Sequence, residues 1–453
     1  MTISKEISEF LVDTKFHDIP KETIEFTKGL TLKTVAGMLG GSLTNAGRRI
    51  TNYVRSRGGP QEAGVIGCGF RAPLEEAVLA NGTFAHAAEL EDDQLPSATS
   101  DINIFPVIFP LADRLRLTGR EIVETAAVSM EVMNRLGMFS IAYMGMTDLP
   151  FYGVLGSTAA AAKVLGLSPA EIHSAFGIAI GRAGGFIINF GTDAHFLESA
   201  MACRDGLEAA VLARNGMTGN ADFEAWLGGL LGQGKVDLGN ITKDLGKPKW
   251  HVHNIWIKKY PCCLLTHRQD DAAFSILKKN TLTYEDIERL EIHVGPIDAI
   301  CDRPHPKDPE DARFSFQHIM AAIMLEGDLN FDTFSTDKIA DPRFKEARAK
   351  VRVTTHPDWE RKWLSGPGKV TIITKDGKTF SEERDEPLGG SKYPLSMDQF
   401  KELYRKYTKD VLSEEQTEWT SEIILNLEQI KDLHEFMDVL TFRHAAKKST
   451  TIP

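Results

Sequence analysis

The chain has 453 residues and a formal net charge of −11, with 42% hydrophobic and 25% charged residues. That composition is ordinary for a folded globular protein and long enough for two domains of about 100–200 residues each. The acidic balance argues against nucleic acid or an anionic membrane as the main partner. Met1–Phe10 has no cationic start followed by an apolar core, and no run of about 18 apolar residues reads as a membrane span. The five cysteines (Cys68, Cys203, Cys262, Cys263, Cys301) include no CxxC pair. They suit reduced thiols and a cytoplasmic location.

In chain order, Pro20–Leu39 is the first convincing helix, stopped by Gly40-Gly41. Asn45–Arg57 is a second, ended by Gly58-Gly59-Pro60. Pro73–Ala88 is mostly apolar, with proline at the first helical position and Glu75 and Glu76 in the first turn. Helical character resumes over Ile104–Leu117. Thr118 with Glu121, and Ser168-Pro169 with Glu171, are capping boxes that open two more helices. The Ala-rich Gly156–Leu165 and the segment Arg204–Arg214 also read as helix, and no persuasive strand is expected before about residue 245. Gly229, Gly234 and Lys235 fit GxxxxGK. However, Val236 replaces the Ser or Thr that would meet magnesium, and a helical pattern precedes the segment, so no phosphate loop is expected.

The pattern changes after Trp250. Leu290, Ile292 and Val294 alternate, as do Val351 and Val353, and Asp376-Gly377 joins Val370–Lys375 to Lys378–Phe380 as a hairpin. Arg313–Leu325 and Phe344–Ala349 read as helices between strands. Ser396 with Gln399 and Ser413 with Gln416 are two further capping boxes, followed by the apolar stripe Ile423, Leu427 and Ile430. Lys447–Pro453 reads as a loose end. The expected fold is therefore mainly α. A large all-helical domain is built from both chain ends (residues 1–255 and 396–453), with a smaller α+β domain (256–395) inserted.

Glu89, Glu91, Asp92 and Asp93 crowd into five residues at the end of the apolar helix, before Pro96-Ser97-Ala98-Thr99-Ser100. Such a run is usually a solvated loop, because burying unpaired carboxylates is costly. Its place beside a buried helix points the other way. Lys258, Tyr260 and His267, in Ile257–His267, are ordinarily a surface lysine and two satisfied core polar groups. The vicinal Cys262 and Cys263 read as small buried residues. The spacing of His251, His253 and His267 matches no standard metal site.

Asn81-Gly82-Thr83-Phe84-Ala85-His86, then Glu89-Leu90-Glu91-Asp92-Asp93 and Pro96-Ser97, resemble a run characteristic of the MmgE/PrpD family. That family includes 2-methylcitrate dehydratase, cis-aconitate decarboxylase and iminodisuccinate epimerase. Lys258-Lys259-Tyr260-Pro261-Cys262-Cys263 with His267, Arg313-Phe314-Ser315, Gly153–Leu167 and Ala202-Cys203-Arg204-Asp205-Gly206 resemble further family elements in the same order. The resemblance implies the architecture above and cofactor-independent bond breaking at carbon next to a carboxylate of a small organic acid. It also implies a homodimer, and no metal. Carried over residue by residue, it makes Glu89, His195 and Lys258 catalytic in a single pocket, with Asp93, Tyr260 and His267 binding substrate. Leu95 and Thr147 stand where the family has histidines, and His195 where it has a lysine. Fewer cations imply a substrate less anionic than a tricarboxylate. The expected chemistry is that of a hydro-lyase or decarboxylase. An epimerase at carbon next to a carboxylate and a non-catalytic metabolite-binding relative are the alternatives.

Overall fold

The computed structural model describes residues 2–232 and 234–442. The expectation for Lys447–Pro453 falls outside them, as does Gln233 of the GxxxxGK stretch. The chain is mostly helical, as its periodicity predicts. It divides into two compact units. One comprises Met1–Ile187, Phe196–Ile255 and the stretch from Ser396 onward; the other comprises Ile188–His195 and Trp256–Leu395. No helix among the described residues is long and apolar enough to cross a membrane.

In the first unit, the helix Lys21–Gly41 packs against Leu74–Ala87 and against Met397–Thr408. Asp101–Leu115, Gly119–Leu136 and Gly153–Val164 complete the buried layer. Both N-terminal capping boxes are formed, at Thr118/Glu121 and Ser168/Glu171, as are Ser396/Gln399 and Ser413/Gln416. Pro73 caps its helix from outside and is not the first helical residue.

Three expectations are corrected. A helix Ile3–Asp13 precedes the first expected one, with Ile3, Ile7 and Leu11 buried on one face. Its stripe is only three residues long, too short to stand out in the sequence. The helix expected at Arg204 begins at Asp193, eleven residues earlier by subtraction of the two starts. His195, Glu198 and Ser199 interrupt the apolar period there. A short antiparallel hairpin, Ala63–Val65 with Phe70–Ala72, does precede residue 245. Three-residue strands show no alternation to read. The hairpin is tied down by Gly67 N–H and Gly69 N–H donating to the carbonyls of Leu440 and Thr441, both at 2.8 Å.

The second unit is built on a four-stranded sheet. Its order is Val351–Thr355, Ile287–Val294, Gly368–Thr374, Thr379–Arg384. The first pair is parallel and the other two are antiparallel. Leu290 aligns with Val351 and Ile372, so one face carries the buried Leu290, Ile292, Val370 and Ile372. The helix Leu264–Asn280 packs against Gly368–Thr374 and Thr379–Arg384, and Phe316–Glu326 packs against Val351–Thr355. The turn holds Gly377 at φ 81°, with its N–H on the Thr374 carbonyl at 2.9 Å.

Candidate functional site

The helix Leu74–Ala87 ends at Ala88, and the next residue, Glu89, turns into the left-handed region at φ 53°. Its N–H donates to the His86 carbonyl at 2.9 Å. A helix usually takes glycine there, and a glutamate in that conformation costs about 1 kcal/mol. The acidic run is folded in rather than solvated: Glu89 is 1% exposed, Glu91 5% and Asp92 0%, with Asp93 half-buried.

His86, fully buried one turn before Glu89, is marked in the sequence only as part of the motif. A ring nitrogen lies within 4.8 Å of a Glu89 carboxylate oxygen, and Nε2 is 3.9 Å from Glu91 Oε1. Nδ1 is 2.9 Å from Ser199 Oγ, and that hydroxyl donates to the Phe196 carbonyl at 3.1 Å. Ser199 therefore accepts from the imidazole. The Phe196 ring meets the His86 ring edge-on at 5.2 Å. The imidazole that shares space with Glu89 is thus fixed in tautomer and orientation.

Asp92 and Asp101 bind each other reciprocally. Asp92 N–H donates to Asp101 Oδ1, and Asp101 N–H donates to Asp92 Oδ1, each at 3.0 Å. Lys33 Nζ lies 2.8 Å from Asp101 Oδ2, and Thr34 Oγ1 donates to the same oxygen at 2.7 Å. Burial and the neighbouring Asp101 push the Asp92 carboxyl well above the usual carboxylate range. Burial works the same way on Asp101, but Lys33 and the bonds from Asp92 outweigh it and hold Asp101 below that range. Thr99 Oγ1 stands between Asp93 Oδ1 at 3.2 Å and Asp148 Oδ2 at 2.9 Å. Asp148 follows the buried Thr147.

In the second unit, His195 is buried against aromatic rings. Phe190 is 4.3 Å away by ring centroids and Phe314 is 6.0 Å away, edge-on. Phe190 also stacks on Trp363. Arg303 fastens this group. Its guanidinium lies over Phe314, donates to Asp311 at 2.6 Å and reaches the Phe190 carbonyl at 3.2 Å. Gly191, at φ 80°, leaves room for that guanidinium, since a Cβ there would stand 2.3 Å from Arg303 Nη1.

Lys258 is 2% exposed, so the surface reading fails. Its charge acts on Cys262 and on His267. Tyr260 Oη donates to Asp271 Oδ1 at 2.9 Å, and Lys259 Nζ reaches the same oxygen at 3.2 Å. His267 is fully buried, and burial followed by Lys258 holds its imidazole well below the usual range. Its Nε2 is 3.2 Å from the Cys262 carbonyl, so that nitrogen carries the proton.

Cys262, His267 and Asp270 bring donor atoms within 4.8 Å of one another. Hydrogen bonds occupy two of their atoms: His267 Nε2 carries its proton toward the Cys262 carbonyl, and Asp270 Oδ2 accepts from Thr266 at 2.8 Å. Burial pushes the Cys262 thiol and the Asp270 carboxyl well up, so the three form a neutral hydrogen-bonded core. Both vicinal cysteines are buried and free, as read from the sequence.

Comparison with known proteins bears on these segments. The model of the MmgE/PrpD N-terminal domain matches residues 5–229, and that of the C-terminal domain matches residues 260–429. The cis-aconitate decarboxylase of Homo sapiens is 28% identical over 383 residues, covering 80% of this chain and 78% of its own. The cis-aconitate decarboxylase of Mus musculus is 26% identical over 455 residues, covering 95% and 92%. The cis-aconitate decarboxylase of Aspergillus terreus is 24% identical over 472 residues, covering 97% and 96%.

Proposed function

Since the chain belongs to the MmgE/PrpD family, we propose that it is a cofactor-independent lyase that decarboxylates a small unsaturated organic acid. Its similarity to cis-aconitate decarboxylases over most of its length supports lyase chemistry of that type. The observation that carries the assignment of roles is Glu89. A buried carboxylate sits in a backbone conformation that costs free energy, and such strain collects at functional sites.

In this reading, breaking the C–C bond releases carbon dioxide and leaves an electron pair conjugated with a second carboxylate. Lys258 stabilises the developing charge on that carboxylate. A proton is then delivered to carbon. Glu89 is the first acid–base group and His195 the second, with Asp93, Tyr260 and His267 orienting substrate.

The substrate carries fewer charges than a tricarboxylate. Two cations near the named residues of the second unit are already committed, Arg303 to Asp311 and Lys259 to Asp271. Leu95 and Thr147 add none.

A panel of mono-, di- and tricarboxylic acids, cis-aconitate included, tests the proposal in deuterated water. Carbon dioxide release from an unsaturated diacid, with weaker use of the tri-acid, is the expected result. Water loss would make the chain a hydro-lyase, exchange without net product would make it an epimerase, and silence across the panel would leave a binding protein. The reading also takes the protein to be a cytoplasmic homodimer. Five free thiols support the compartment, and the exposed Tyr143, Phe186 and Met201 of the first unit support the self-association.

A further inference from the structure

We propose that Asp92, Asp101 and Lys33 form a positioning clasp, with one proton on Asp92 and one negative charge on Asp101, which fixes the Glu89–Asp93 segment. All three side chains lie in the first unit and are at most 2% exposed. The clasp works through the backbone. Each aspartate accepts the other's N–H, and Asp101 Oδ1 also accepts from Ile102 N–H at 2.8 Å. Those bonds close the loop between residues 92 and 101 and hold its two ends in register. Glu89 stands three residues before the clasp and Asp93 directly after its first member.

Charge counting places the proton. Two ionised carboxylates and one ammonium would leave a buried net charge of −1, which is costly. One proton removes it. Lys33 and Thr34 both bond Asp101, whereas Asp92 faces the Asp101 carboxyl and a longer contact from Ser100 Oγ at 3.4 Å. Asp101 is therefore the better anion and Asp92 the better acid. Burial raises both carboxyls, but Lys33 and the bonds from Asp92 bring Asp101 down while the Asp101 charge pushes Asp92 further up, in agreement with that division.

The activity arms of the test rest on the catalytic reading above; the other arms do not. At neutral pH, the infrared difference spectrum between wild type and Asp92→Asn is expected to lose one protonated-carboxyl C=O band. Asp92→Asn keeps the shape and the neutrality, so it is expected to hold kcat within about threefold. Asp92→Ala frees the loop and is expected to lower kcat at least about tenfold, because small displacements of reacting groups are expensive. Lys33→Met leaves Asp101 buried and ionised without its partner, and is expected to lower the thermal midpoint. Lys33→Met with Asp101→Asn is expected to recover part of it.

An unchanged infrared spectrum, an Asp92→Asn variant as damaged as Asp92→Ala, or a double variant no more stable than Lys33→Met would each overturn the clasp. If the infrared and thermal results hold while Glu89→Gln turns over normally, the clasp stands and the catalytic reading falls.

Discussion

Glu89 shows how one residue can carry two costs. It is a carboxylate removed from water and a non-glycine residue at φ 53°. On the proposed reading, the side chain acts as an acid–base group, and that is what a substitution tests. Glu89→Gln retains size and hydrogen bonding but cannot act as a base. Turnover of the best substrate in the panel is expected to fall at least about a hundredfold, with circular dichroism unchanged. His195→Asn is expected to do the same, and normal rates in both variants would dismiss the roles.

A second prediction concerns Asp298, which burial raises to about 6 although the Leu364 N–H donates to it. Its folded-state value lies above the unfolded one. The folded state therefore binds more protons between about pH 4 and 6, and this group's contribution to stability falls as pH rises through that window. Asp298→Asn removes the titration. Denaturant unfolding at pH 4 and pH 7 is expected to show the variant gaining on wild type by up to about 3 kcal/mol at the higher pH.

At the scale of elements, caps and close approaches are what hold the helices in place. The four capping boxes were legible in the sequence because their signals are local, a hydroxyl followed three residues on by Glu or Gln. Helix ends set by tertiary packing were not. The start at Asp193 lies in a stretch where Asp193, His195, Glu198 and Ser199 break the apolar period.

Two substitutions probe this level. Thr281 ends the helix Leu264–Asn280 in the left-handed region, where a β-branched residue is strained. Thr281→Gly is expected to raise stability by about 1 kcal/mol in denaturant unfolding. Gly82, one turn before His86, lets the helix Leu74–Ala87 approach Ala200, because a Cβ there would stand 2.9 Å from the Ala200 Cα. Gly82→Ala is expected to destabilise by about 1–3 kcal/mol, and by displacing His86 from Ser199 to lower turnover as well. A variant as stable and as active as wild type would show that the approach has slack.

For the whole molecule, the testable property is association. Tyr143 and Phe186 are more than half exposed in the first unit, at 53% and 55%. Their segments are linked, Met146 bridging to Phe186 and Ile187 N–H donating to the Gly145 carbonyl at 3.0 Å. Light scattering is expected to give twice the chain mass. Tyr143→Glu with Phe186→Glu is expected to give the chain mass alone, since two charges in an apolar contact are not tolerated. A monomeric wild type would remove the dimer from the proposal.

The kinship, the mainly helical character, the hairpin at Asp376-Gly377 and the caps could be read from the sequence alone. Each is written in residues close together along the chain or in motifs repeated in order. The state of the acidic run could not. Glu89, Glu91, Asp92 and Asp93 are equivalent as letters, and their crowding predicts a wet loop. What separates them is contact with Thr99, with His86 on the preceding helix, and with Asp101, which Lys33 and Thr34 hold in turn. Whether a carboxylate is charged depends on what surrounds it in space. Sequence neighbours do not determine that, and only the packed chain does.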